Sequence, residues 1–126
     1  MKLGSNLGRV RGLGSTNDGV AVWWMQRLSG IALIPLILWF IFSILQLPNS
    51  DYSGFTLWVS SGPNPVLLCL LIIFMFHHGL LGIKVIFEDY IHSDKLRLSL
   101  LILTKLIVIL FGSYSFFAII SLTFGR

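Results

Sequence analysis

Residues Val66 to Phe87 read VLLCLLIIFMFHHGLLGIKVIF, an apolar run with one lysine and a pair of histidines. At a rise of about 1.5 Å per residue, a helix of about 20 residues crosses a hydrocarbon core of about 30 Å, so this run predicts a transmembrane helix. Two further runs flank it, Leu28 to Leu47 and Leu98 to Phe124, and each is long enough to span in the same way. Between them lie Pro48 to Pro65, rich in Ser, Gly, Pro and Asn, and a short charged turn from Glu88 to Arg97. Both segments read as loops. The expected fold is an all-α integral membrane protein with three transmembrane helices, over about 28–47, 66–87 and 98–124. It forms one domain over 1–126, in which 1–26 is a polar N-terminal segment.

Composition agrees. Of 126 residues, 56% are hydrophobic and 11% are charged, against roughly 25% charged in an ordinary soluble domain. A net charge of +4 is spread around apolar segments instead of being gathered on one face, which argues against nucleic acid as a partner and for lipid. Cys69 is the single cysteine. It forms no intrachain disulfide and reads as a small apolar side chain. No apolar h-region or small-residue cleavage site precedes the first long run, so no secretory signal peptide is expected.

Lysine and arginine set the orientation. Lys2, Arg9, Arg11 and Arg27 precede or open the first span, Lys95 and Arg97 lie in the second loop, and the first loop carries Asp51 and no basic residue. The N-terminus and the second loop are therefore expected on the cytoplasmic or matrix side of a bacterial or mitochondrial inner membrane. Trp23, Trp24 and Tyr90 then fall near the inner interface and Tyr52 and Trp58 near the outer one, as a belt of interfacial aromatics. Pro35 is expected to bend the first helix. Lys105 lies about two turns into the third span, within reach of the interface by snorkelling.

Ionisable groups in a membrane helix cost about 2.5 to 3.5 kcal/mol at mid-depth, so each needs a partner. The second span ends in FHHGLLGIKVIFEDY. His78 precedes Asp89 by a rise of about 16 Å, which places its imidazole near the bilayer middle if Asp89 marks the inner interface. His78, Gly82, Val85 and Asp89 share one helical stripe. The missing side chain at Gly82 admits either a large flat group or another helix. Two readings of His78 stay open from the residues: a hydrogen bond between helices, or a metal or haem ligand. His77 points about 100° away, on the stripe of Lys84 and Glu88. Arg27 sits about one turn inside the interface, where a guanidinium reaches a lipid phosphate, a carboxylate or an acidic cofactor group. Ser29 and Gly30 read as residues of close helix packing. CxxC, GxGxxG and HExxH motifs and a Ser/His/Asp constellation are absent from the sequence.

The spacing of His78, Gly82, Asp89 and Tyr90 resembles that of the hydrophobic membrane anchor of succinate dehydrogenase, respiratory complex II. The segment GLGSTNDGVAVWWMQRLSG, residues 12–30, is similar to anchors of alphaproteobacterial and mitochondrial type. The resemblance implies a chain that is non-catalytic on its own and forms half of a two-chain anchor bundle. Its implied partners are a second anchor (the cytochrome b chain), an iron–sulfur subunit and a flavoprotein subunit. It implies that His78 is one axial ligand of a b-type haem (haem b) shared with the second anchor, with Gly82 allowing close approach and Arg27 near the propionates. It also implies that Tyr90 donates a hydrogen bond to a ubiquinone carbonyl, supported by Asp89. The sister cytochrome b anchor shares the Arg27-x-Ser29-Gly30 opening, but this chain reads Gly-Ile-Lys at 82–84 and closes on Asp89-Tyr90. A small membrane interaction protein without redox function accounts for the three spans but leaves the His78 to Tyr90 spacing unexplained.

Overall fold

The computed structural model describes residues 16–47 and 51–125, and these form four helices: α1 (Thr16–Leu45), α2 (Tyr52–Ser60), α3 (Asn64–Tyr90) and α4 (Asp94–Phe124). Three are long and apolar enough to cross a membrane, over Gly19–Leu45, Asn64–Tyr90 and Asp94–Phe124. The basic residues Lys2, Arg9 and Arg11 lie outside the described residues.

The long helices overrun the apolar stretches that announce them. α1 starts at Thr16, well inside the segment read as a polar leader, and α3 and α4 are separated by Ile91 to Ser93 alone. A hydropathy boundary marks where a helix leaves hydrocarbon, whereas backbone hydrogen bonding continues until a cap ends it. At the α3 terminus the Ile91 amide closes on the Phe87 carbonyl at 3.1 Å. On the far side Arg97 pairs with Asp94 at 2.6 Å within the first turn of α4. Helix α1 runs unbroken through Pro35.

The first loop is not a plain loop, because it contains α2. Asp51 starts this helix. Its carboxylate accepts from the Gly54 amide at 2.9 Å and from the Ser53 hydroxyl at 2.7 Å, and those bonds, the Ser53 hydroxyl first, hold the carboxyl below its ordinary range. This is N-capping by an exposed aspartate. The chain leaves α2 through Gly62, whose φ of 51° suits a residue without Cβ. The Asn64 side chain then donates to the Trp58 carbonyl at 2.8 Å, and Pro65 sits in the first turn of α3.

Helix α2 folds against the spans near the end of α1, the start of α3 and the end of α4. Val59 is 2% exposed and packs with Leu68 and Ile119, with Trp39, Phe40, Trp58, Ile72 and Leu122 around them. Trp58 stacks on Trp39 with ring centroids 6.1 Å apart and an interplanar angle of 20°. Trp58, expected as a belt aromatic, is thus a packing residue that joins α2 to α1, and such ring pairs contribute about 0.5 to 1.5 kcal/mol beyond area burial. Tyr52 stays 77% exposed, as a belt residue would. Helix α3 packs on both α1 and α4, and residues of all three spans meet in the cluster around Val59.

Candidate functional site

The site is built where α1 crosses α3. Ser29 is 3% exposed, the buried polar residue among the described residues. Its hydroxyl lies 3.0 Å from the Gln26 carbonyl and 3.0 Å from His78 Nδ1, and Nδ1 lies 3.1 Å from the same carbonyl. The hydrogen bond between helices that the sequence allowed for His78 is present, to two oxygens of α1.

That triangle decides the tautomer. A carbonyl oxygen only accepts, so an imidazole nitrogen 3.1 Å away must carry the proton. Were Nδ1 to accept from Ser29 instead, its lone pair would face the carbonyl lone pair across the same gap. The Ser29 hydroxyl donates to the Gln26 carbonyl and Nδ1–H donates into the pair of oxygens, so that in the neutral ring the lone pair is on Nε2. Among the described residues no group pairs with Nε2.

Two glycines let the helices come this close. A Cβ on Gly30 would lie 3.2 Å from His78 Cε1, tighter than ordinary van der Waals contact, so Gly30 shapes the seat of the ring. A Cβ on Gly82 would meet the Gln26 side-chain nitrogen at 3.6 Å. That is an ordinary contact, made by the end of a side chain of α1. The Gln26 side-chain oxygen is buried and has no hydrogen-bond partner among the described residues.

Toward the start of α1 and the end of α3, the two helices line a cavity of about 560 Å³ whose walls include Trp23, Gln26, Arg27, Leu81, Lys84 and Glu88. The Arg27 guanidinium stands 4.0 Å above the Trp23 ring, a cation–π contact. Lys84 pairs with Glu88 at 3.8 Å. Arg27 of α1 and Lys84 of α3 therefore share one cavity. Asp89 and Tyr90 lie at the α3 terminus, away from this cavity lining, and Tyr90 is 78% exposed. The sequence reading of Ser29 and Gly30 as residues of close helix packing is borne out, but it did not find their pairing with His78 or the part played by Gln26. Their i, i+3, i+4 spacing marked one helix face, but which residue of α3 it meets depends on the crossing. Among the described residues no cluster of three or more His, Cys, Asp or Glu is positioned for a metal ion.

A chain of three helices long and apolar enough to span, with an imidazole held between two of them by one nitrogen, is a multi-pass membrane protein. The family model of the succinate dehydrogenase/fumarate reductase transmembrane subunit matches residues 1–113, and the chain belongs to that family. It is 34% identical over 102 residues to the succinate dehydrogenase hydrophobic membrane anchor subunit of Rickettsia conorii, covering 80% of this chain and 81% of that one. The Rickettsia bellii protein of the same name is 35% identical over 103 residues, 81% of this chain and 82% of its own. The succinate dehydrogenase membrane anchor subunit of Reclinomonas americana is 27% identical over 97 residues, 75% and 81% of the two chains. No solved structure matches. The chain is accordingly a membrane anchor, the non-catalytic part of its enzyme, as the spacing from His78 to Tyr90 implied.

Proposed function

We propose that this chain anchors a succinate:ubiquinone oxidoreductase in a bacterial or mitochondrial inner membrane, contributing one axial ligand of a b-type haem and part of the ubiquinone site. Its partners in this reading are a second anchor chain, which supplies the other ligand, an iron–sulfur subunit and a flavoprotein subunit. The observation that carries it is the His78 tautomer. A ligating histidine commonly donates its other ring N–H to a carbonyl, which fixes the ring and raises its basicity, and Nδ1–H against the Gln26 carbonyl is that arrangement. Arg27 and Lys84 in the adjoining cavity offer cations for propionate groups. Gly82 faces Gln26 of this chain, so close approach there is to α1.

The residues fit the group. A bound haem supplies a one-electron carrier at mid-membrane. His78 holds Nε2 deprotonated, and the Ser29 hydroxyl and Gln26 carbonyl hold the proton on Nδ1. At the α3 terminus, the exposed Tyr90 phenol is free to donate to a quinone carbonyl that gains negative charge on reduction, and Asp89 beside it can pass a proton. Purification of the complex from membranes through a tag on this chain tests the reading. The expected result is a reduced b-type haem spectrum with two soluble subunits and a second small membrane chain. Recovery of the chain with neither chromophore nor partners would favour the non-redox interaction protein.

Orientation is tested separately. With Cys69 replaced by Ala, Tyr52→Cys is expected to react with an impermeant maleimide from outside and His92→Cys from the inner side, as the basic residues at 95 and 97 require. Reversed labelling would turn the chain over and move Tyr90 to the wrong surface.

A further inference from the structure

We propose that Ser29 and Gly30 are positioning residues for His78, together fixing the plane of its imidazole and the strength with which Nε2 binds an iron. The inference rests on the haem reading above and adds two residues of α1 to it. Three contacts converge on one edge of the ring. Ser29 Oγ and the Gln26 carbonyl oxygen sit 3.0 and 3.1 Å from Nδ1. The bare Cα of Gly30 faces Cε1, where an added Cβ would stand at 3.2 Å.

A single hydrogen bond leaves a ring free to swing about it, whereas two oxygens on Nδ1 and a backbone surface against the adjacent carbon remove that rotation. The oxygens also draw on the Nδ1 proton, and a ligand whose distal N–H is more strongly bonded is more basic toward its metal. Greater basicity favours the ferric state and lowers the midpoint potential. Ser29→Ala deletes one acceptor and leaves the helix crossing nearly isosteric. Gly30→Ala leaves the hydroxyl but pushes the ring away by a few tenths of an ångström.

The test uses the purified complex, with haem content, the redox-titrated midpoint potential and the low-spin electron paramagnetic resonance g-values as readouts. Ser29→Ala and Gly30→Ala are each expected to keep at least half of the haem, to raise the midpoint potential and to shift the g-values. Gly112→Ala is the packing control, since its added methyl would meet Phe76 at an ordinary 3.7 Å, and it should match the wild type. Wild-type potentials and g-values in both α1 variants would overturn the proposal, as would an equal shift in Gly112→Ala. His78→Ala in the same series isolates the underlying assumption: if it retains low-spin haem, the haem reading itself has failed, whatever Ser29 and Gly30 do.

Discussion

Replacement of His78 by Ala is expected to cut the haem content of the purified complex at least about tenfold, with any remaining haem high-spin. Loss of an outer-shell partner alone typically costs about 10- to 100-fold in metal affinity, and here the ligand itself is deleted. If imidazoles from two chains hold the iron, removal of His78 would leave this chain no ligand to offer it. His77→Ala should leave the low-spin spectrum largely intact. The two histidines are sequence neighbours with unlike surroundings: the Ser29 and Gln26 contacts fall on His78, and His77 stands about 100° round the helix. Optical and electron paramagnetic resonance spectra of both variants decide. A low-spin spectrum that survives His78→Ala and collapses in His77→Ala would reverse the assignment.

Tyr90→Phe is expected to slow quinone reduction roughly tenfold to a hundredfold while succinate oxidation by a soluble dye, which takes electrons upstream, proceeds nearly unchanged. Phe keeps the ring and deletes the phenolic donor, a loss of about 1 to 3 kcal/mol where the acceptor is desolvated. If the bond is strongest as charge grows on the quinone oxygen, that loss falls mainly on the rate. Tyr90 is 78% exposed on this chain, and Asp89 beside it is exposed too. In the assembled complex, partner chains would have to supply the enclosure. Asp89→Asn removes a proton carrier, so its defect should change with pH, whereas that of Tyr90→Phe should not in the neutral range. Assaying both activities in the same membranes separates the readings, because an interfacial belt tyrosine would give wild-type rates with either acceptor.

The three spans were legible because composition and run length are local properties, and hydrocarbon tolerates few alternatives to a helix. Their ends were not, since the extended backbone at Ile91 and Ser93 rather than hydropathy stops α3 and starts α4. Helix α2 hid in a segment whose Ser, Gly and Pro read as loop. Its signals were the Asp51 cap and the apolar face of Phe55, Trp58 and Val59, and its stability comes from packing on Trp39 and Phe40, far away in sequence. His78 was selected by spacing within one helix. Ser29 and Gly30 could not be paired with it, because they are 49 and 48 positions away and the register between two membrane helices is set by packing that a single sequence does not display.

One consequence follows from how much apolar surface the spans leave uncovered. With the cavity between α1 and α3 partly open and so much apolar surface bare, the effective permittivity around the His78 ring is not a property of this chain alone. Coulomb energies scale inversely with that permittivity, several-fold between a wet surface and a dry interior. The same Ser29, Gln26 and His78 contacts would therefore hold a charge at quite different energies according to which chain is laid against them. Substitutions in a neighbouring chain that only thicken or thin the apolar cover over α1 and α3 should retune the electric field at His78 without touching a residue of this protein.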